Sequence, residues 1–339
     1  MGDFMSENKP LASLSLDLDN QWSYMKTHGD AGWDSFPSYL DIVVPRVLDF
    51  LDKNNLKITF FIVGQDAALR KNQDVIRSIR QAGHEIGNHS FNHEPWLHLY
   101  TEQQINSELS RTEEEIERVT GQKTIGFRGP GYSLSNSVLR VLSQRGYQYD
   151  ASTLPTYLGP LARAYYFMTT RLSPEEKANR KLLFGTLGDG TRPIKSYKWQ
   201  IDGFPSGLIE IPVTTMPILK TPFHVSYILY LSKFSPVLGR MYFHMAMSLC
   251  RLSHVAPSLL MHPLDFLGGD DVKELSFFPA MNLPGRKKLE LVSKVIKIYS
   301  QHFTIVPMQE QARALSQDVN IPTVEPVFRV APVVSLRRS

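Results

Sequence analysis

Cysteine is nearly absent. The 339 residues hold only Cys250, so no disulfide within the chain can brace the fold. Cys250 stands among apolar neighbours and reads as a buried, inert thiol. An excess of one charge sign is also missing. Thirty-seven Lys+Arg against 33 Asp+Glu leave a dispersed net charge of +4, which argues against nucleic acid as a partner. No uncharged apolar run reaches the roughly 18 residues of a membrane-spanning helix. The opening MGDFMSENKPLASLSLDLD lacks the basic stretch and apolar core of a secretory leader, and MGDFMS meets only the loose wording of a myristoylation signal. The expectation is a cytoplasmic protein, with peripheral contact at the inner membrane face left open. There is no internal repeat. What is present is ordinary for a globular chain with a large core: 42% hydrophobic and 21% charged residues.

Strand and helix patterns alternate. Residues 11–18 and 57–63 read as strands, the second being β-branched and aromatic (KITFFIV). Between them, 39–53 carries Leu40, Val43, Val44, Val47, Leu48 and Leu51 at helical spacing. Residues 74–82 predict a helix ended by Gly83, and 101–120 a long helix with Thr101 and Gln104 as a capping box and Gly121 as its stop. Short strands at 124–127 and 147–150 flank a helix at 136–145. Alternation at this period predicts parallel strands. The rhythm breaks over about 156–200, where SPEEKANRKLLFG predicts a capped surface helix inside an insertion. Strands return at 207–214, 258–261 and in FTIVP, with a helix at 286–301 before the last. One domain over 1–318 and an extended, proline-bearing tail over 319–339 are expected.

The chemistry-bearing residues lie where short apolar strands meet polar or Gly/Pro segments. GHEIGNHSFNH, residues 83–93, spaces His89 and His93 four apart, which on a helical turn aims both rings at one point. LSLDLDNQW supplies Asp17 and Asp19. Two imidazoles and one carboxylate form an open set for a divalent metal and leave the second carboxylate free as a base. An HxxxH pair alone is weak, and the aspartates could merely cap the next segment. The wider set strengthens the reading: FRGPGYS at 127–133, YDAST at 149–153 and LLMHPLDF at 259–266.

These motifs, in this order, resemble the NodB-homology polysaccharide deacetylases, carbohydrate esterases of family 4. The wording is nearest the exopolysaccharide-biosynthesis branch with its Asp-x-Asp first motif. The resemblance runs from about residue 14 to about 314. It implies an α/β fold, a distorted (β/α)7 barrel of fewer than eight units with its site at the C-terminal strand ends. It further implies Asp19, His89 and His93 as metal ligands and Asp17 as the base. His262 becomes the general acid, Arg128 the partner of the base carboxylate, and Asp150 the acid that tunes the histidine. The backbone of Gly131 supplies the oxyanion donor. Many members carry an aromatic residue where this chain has Gly131 followed by Tyr132, so the substrate's seat differs. Zinc suits the ligand set best, and manganese, iron, cobalt and nickel also fit.

The implied activity is metal-dependent removal of an acetyl group from an N-acetylated sugar in a polysaccharide or glycolipid. The alternatives are hydrolysis of another C–N bond, in a formamide or cyclic amide, and a non-catalytic carbohydrate-binding scaffold. Trp22, Tyr24, Trp33 and Phe36 crowd the first loop. They either stack on sugar, with Trp22, Trp33 and Tyr132 as the substrate contacts, or pack on the scaffold. Asp265 either orients His262 or caps the next segment, while His84 reads as structural and His98 as lining the cleft. Residues 225–252 are either a buried barrel helix or an amphipathic element at a membrane surface. Oligomeric state is not legible.

Overall fold

The computed structural model describes residues 9–161, 170 and 187–328. The helix expected at 173–185 lies outside them. Ten strands form one sheet: β1 (Leu11–Asp17), β2 (Thr59–Ile62), β3 (Glu85–Asn88), β4 (Gly126–Phe127), β5 (Tyr149–Asp150), β6 (Tyr197–Ile201), β7 (Phe204–Glu210), β8 (Ser258–Met261), β9 (Thr304–Val306) and β10 (Thr323–Val324). Their order is β10-β6-β7-β5-β4-β3-β2-β1-β8, with β9 also on β1. Among these named strands only the β6–β7 hairpin is antiparallel; the other pairings are parallel. The ladder does not close. Between the β7 and β8 flanks the seam holds by Thr214, whose N–H donates to Ser258 O at 3.2 Å and whose Oγ1 accepts from Ser258 N–H at 2.7 Å. The fold is therefore α/β with a mostly parallel, barrel-like sheet, and the expected distorted barrel takes that open form.

The helices are α1 (Gln21–His28), α2 (Leu40–Lys53), α3 (Gly64–Ala68), α4 (Gln73–Gln81), α5 (Glu102–Thr120), α6 (Asn136–Gln144), α7 (Val225–Phe234), α8 (Pro236–Leu252), α9 (Gly285–His302) and α10 (Met308–Ser316). The capping box of α5 forms as read: Thr101 Oγ1 accepts from Gln104 N–H, Gln104 Oε1 accepts from Thr101 N–H, and Gly121 takes the left-handed cap. Removing such a cap costs about 1 kcal/mol.

Alternation along β1 sorts the sheet's two faces. Ala12, Leu14 and Leu16 point outward into the main core with residues of α2, α7, α8 and α9. Ser13, Ser15 and Asp17 fall on the opposite, inner face. That interior is polar at its base. Glu85 accepts from Thr59 Oγ1 at 2.5 Å, Tyr149 OH at 2.8 Å and Gln309 N–H at 2.9 Å. Helix α10 closes this N-terminal end of the strands, its Met308 N–H donating to Thr59 Oγ1 at 2.8 Å. The opposite end is left for the site.

Two expectations need correction. The 225–252 segment is a hairpin of two helices, not one. The tail read as merely extended adds β10 to β6 and packs Phe328 against Trp199, ring centroids 6.0 Å apart, because the outer face of the β6–β7 hairpin is apolar and needs covering.

Candidate active site

The polypeptide leaves the ladder at Asp17. Leu18 N–H still donates to Phe61 O at 2.9 Å, and then Asn20 caps α1 through Gln21 N–H at 2.8 Å. Residues two apart on a strand share a face, and Asp19, just beyond the strand's end, lines the same cavity as Asp17. Tyr39 OH fixes the Asp19 carbonyl at 2.5 Å. Behind the turn, Asp66 Oδ1 accepts from Asn20 at 2.7 Å and from Trp22 and Asn72 at 3.0 Å each. Burial pushes the Asp66 carboxyl up to about 7, against the pull of the Asn20 and Trp22 bonds.

His89 follows β3 directly, but the His89–His93 segment is not the helical turn expected. It is a loop in which Ser90 and His93 take positive φ, 60° and 51°. Glu108 of α5 holds it, accepting from Phe91 and Asn92 N–H at 2.9 Å each. The loop still converges its rings. Asp19 Oδ1 lies 2.9 Å from His93 Nε2 and 3.3 Å from His89 Nε2, and the three donor atoms fall within 4.8 Å of one another. His89 Nδ1 donates to Arg128 O at 2.7 Å, so its Nε2 lone pair faces Asp19. Asp19 Oδ1 is buried and accepts no hydrogen bond of proper geometry, although two imidazole nitrogens face it. A shared cation relieves that arrangement. The electrostatics agree. Burial raises the Asp19 carboxyl, but His93 and His89 outweigh it and hold the group well below the usual range. Burial lowers His89, but Asp17 and Asp19 outweigh that and raise it. The pocket favours positive charge, and its donor set fits a divalent metal.

Arg128 follows β4 and is wholly buried. Its Nη1 donates to Asp17 Oδ1 at 2.6 Å and Ser15 Oγ at 2.9 Å, its Nε to Ala151 O at 3.0 Å, and its guanidinium lies 4.4 Å from the Phe61 ring centroid. In the next turn Gly131 has φ 57° and Tyr132 φ 61°. Tyr132 and Ser133 N–H turn back onto Gly129 O and Pro130 O. Gly129 N–H donates to Ser152 Oγ at 2.7 Å, and Ser152 donates to Asp150 at 2.5 Å. Asp150 therefore braces this turn and does not tune His262, as the resemblance implied. Its other partner is Glu210. Burial raises both carboxyls, and Asp150 drives Glu210 well above its ordinary value, so the pair retains a proton. Glu210 also accepts from Thr153 Oγ1 at 2.6 Å and Trp199 Nε1 at 2.9 Å.

His262 follows β8 across the cavity. Its tuning group is Asp265, through a hydroxyl that sequence reasoning missed. Asp265 Oδ2 accepts from His262 N–H at 2.8 Å, Ser226 Oγ donates to Asp265 Oδ1 at 2.7 Å, and Ser226 Oγ is 3.2 Å from His262 Nδ1. The Ser226 proton is committed to Asp265, so Nδ1–H must donate to Ser226. Nε2 is left for the cavity. Burial raises Asp265, partly offset by His262. His224 stands edge-on to His262, ring centroids 6.0 Å apart, and burial together with the His262 charge pushes it down to about 3, keeping it neutral.

The Polysaccharide deacetylase family profile matches residues 30–149, spanning His89, His93 and Arg128. Over that stretch the chain is similar to the polysaccharide deacetylases. It is 38% identical over 105 residues to the peptidoglycan-N-acetylmuramic acid deacetylase PdaA of Bacillus subtilis, covering 31% of this chain and 39% of that protein. It is 30% identical over 151 residues to a peptidoglycan deacetylase of Helicobacter pylori, covering 42% of this chain and 50% of that one. The chain thus spans half or less of these curated relatives. A Mycobacterium smegmatis crystal structure assigned to the polysaccharide deacetylases superposes with a TM-score of 0.63 at 19% identity, covering 96% of each chain, and so shares the fold.

Asp17, Asp19, His89, His93, Gly131, Tyr132 and His262 line one cavity of about 350 Å³. Trp22 does not. It is 1% exposed, turned inward by its bond to Asp66, and offers no face to a sugar. Trp33 is half-buried outside the cavity lining, packed near Phe36 and beneath Lys26. The aromatic wall comes from elsewhere. Phe277 stacks on His28 at 3.6 Å and Phe278 meets Tyr24 edge-on at 4.8 Å. Only the Phe-Phe-Pro wording at 277–279, conspicuous in a polar stretch, hinted at it. His84 is structural as read: its Nδ1 accepts from Ile58 N–H at 3.2 Å, and burial pushes it down to about 4. His98 braces the Gly131 turn, its backbone N–H donating to Ser133 Oγ at 2.8 Å.

Proposed function

We propose that the chain is a metal-dependent N-deacetylase that hydrolyses the acetamido group of an N-acetylated sugar. One observation carries this: the buried Asp19, His89 and His93 cluster lies in the same cavity as an arginine-clamped carboxylate, Asp17, and a relay-held imidazole, His262. Zinc is the favoured ion. When bound by Asp19, His89 and His93, it supplies Lewis acidity toward the amide carbonyl and makes nearby water a better nucleophile. Asp17, with Oδ1 clamped by Arg128, accepts a proton from the attacking water as its oxygen bonds to the carbonyl carbon. The Gly131 N–H stabilises the developing oxyanion. His262, its Nδ1–H held by Ser226, delivers a proton from Nε2 to the nitrogen as the C–N bond breaks. Acetate and a free amine result.

The named relatives deacetylate peptidoglycan, which supports an N-acetylhexosamine polymer or a glycolipid built from the same sugars as substrate. The cavity lies at the lower end of the about 300–1,000 Å³ typical of small-ligand pockets, so it suits one or two sugar units, with Tyr24 and Phe278 against their C–H faces. The test is acetate release from peptidoglycan fragments, N-acetylhexosamine oligosaccharides and glycolipids. Metal-stripped protein is reloaded in turn with zinc, manganese, iron, cobalt or nickel. Hydrolysis of formamides or cyclic amides with no acetate release under any metal overturns the reading.

A further inference from the structure

The hairpin α7–α8 carries a run of exposed apolar side chains. Its outward face is apolar. Phe234 is 67% exposed, Met241 63%, Val237 54% and Leu238 50%, all about one tight turn. The turn is built to stay closed. Ser235 caps α8 through Leu238 N–H, Pro236 occupies its first turn, and a Cβ at Gly239 would collide with Ser232 Oγ, so the helices cross too closely for any side chain there. The apolar side chains thus project from a fixed tip. Single exposed leucines need no explanation, but a contiguous patch marks a contact surface.

The charge around this tip selects the occupant. Residues 211–264 contain no Asp or Glu, in a chain with 33 of them. Lys233 and Arg240 flank the apolar side chains, and neither forms an ion pair among the described residues. Apolar side chains flanked by basic groups, in a segment without acids, complement an anionic lipid surface: the side chains enter the acyl boundary and the cations meet headgroups. No helix among the described residues is long and apolar enough to cross a membrane, so the contact is peripheral.

We infer that the α7–α8 tip docks this protein on an anionic bilayer surface. The same helix connects that surface with the cavity. Ser226, Tyr230 and Phe234 are spaced four apart and share one face of α7. Ser226 touches His262, and Tyr230 packs edge-on to Phe234 at 5.4 Å. The tip lies roughly 12 Å along the helix from the His262 contact. Docking brings the cavity close to the lipid headgroups.

Vesicle co-sedimentation of the whole chain tests this without any assay of turnover. Vesicles of phosphatidylcholine alone are compared with an equimolar mixture with phosphatidylglycerol. The protein should pellet with the anionic vesicles, far less with the neutral ones, and be released by high salt. The double variant Phe234→Asp with Met241→Asp should partition about tenfold or more weakly. Lys233→Glu with Arg240→Glu should lose the preference for anionic lipid while melting like the wild type. Wild-type protein remaining in the supernatant with both vesicles overturns the inference. So does pelleting of both double variants to the same extent as the wild type. A concentration-dependent dimer in sedimentation velocity that Phe234→Asp with Met241→Asp abolishes would assign the face to a second copy and also overturn it.

Discussion

The two sides of the cavity are built by different rules. On the side of β1, β3 and β4, each group is gripped directly. Arg128 meets Asp17 at 2.6 Å with no exposure of its own, and His89 hangs from the Arg128 carbonyl at 2.7 Å. On the side of β8 and α7, the His262 imidazole reaches its acid through Ser226, at 3.2 Å. Buried charge-assisted contacts are strong and cannot adjust without large cost. A hydroxyl rotates about one bond. Under the proposed mechanism, the groups that would share a cation are held rigidly, while the group that would release a proton is held by a partner that can follow it.

The hardest break falls on the rigid side. His89→Ala should lose the metal on dialysis and reduce acetate release to background, checked by elemental analysis of the same sample. Asp17→Asn should retain metal and fold but lose about 10²–10⁴ in kcat. His262→Ala should fall by about 10² or more, and less for substrates whose leaving group needs little protonation. An equal loss across leaving groups would erase the distinction between the two sides.

Ser226→Ala sharpens the comparison. Losing a hydrogen bond to a charged group, at about 1.5–3 kcal/mol, predicts a roughly tenfold to hundredfold drop in kcat with KM little changed, and Ser226→Thr should restore most of it. Unchanged turnover in Ser226→Ala would leave His262 with no need of its relay.

The smallest effect comes from Asp66, behind the rigid side. Its folded value of about 7 exceeds the ordinary carboxylate value of 3.8, so the folded protein keeps a proton that the unfolded chain has lost. Stability therefore falls as pH rises from 3.8 toward 7, and the penalty is complete above that. Asp66→Asn should melt like wild type near pH 4 and be more stable at pH 8, on the order of 1–3 kcal/mol.

What could be read in advance followed from local pattern. Strand ends announced themselves where apolar runs met Asp17, His89, Arg128 and His262, because parallel α/β sheets place chemistry at those ends. What escaped reading depended on distant residues. Ser226 lies 36 residues from His262, in a helix whose composition says only that it is apolar. Trp22 looked available to a sugar because its partner, Asp66, is 44 residues away. Asp150 bears the expected carboxylate, yet Ser152 and Glu210 redirect it to the Gly131 turn.

The arrangement around β1 has a consequence in time. Its inner edge is finished by late arrivals: β8, then β9, then Met308, whose bond to Thr59 spans 249 residues. At about 5–20 residues per second on the ribosome, that interval is roughly 12–50 s. Until β8 emerges the strand that ends in Asp17 has one uncovered edge, and until Met308 emerges the sheet's interior is unplugged. The residues that begin the site are thus among the last to be locked, and a nascent chain stalled before β8 would expose a sticky β edge while still lacking His262.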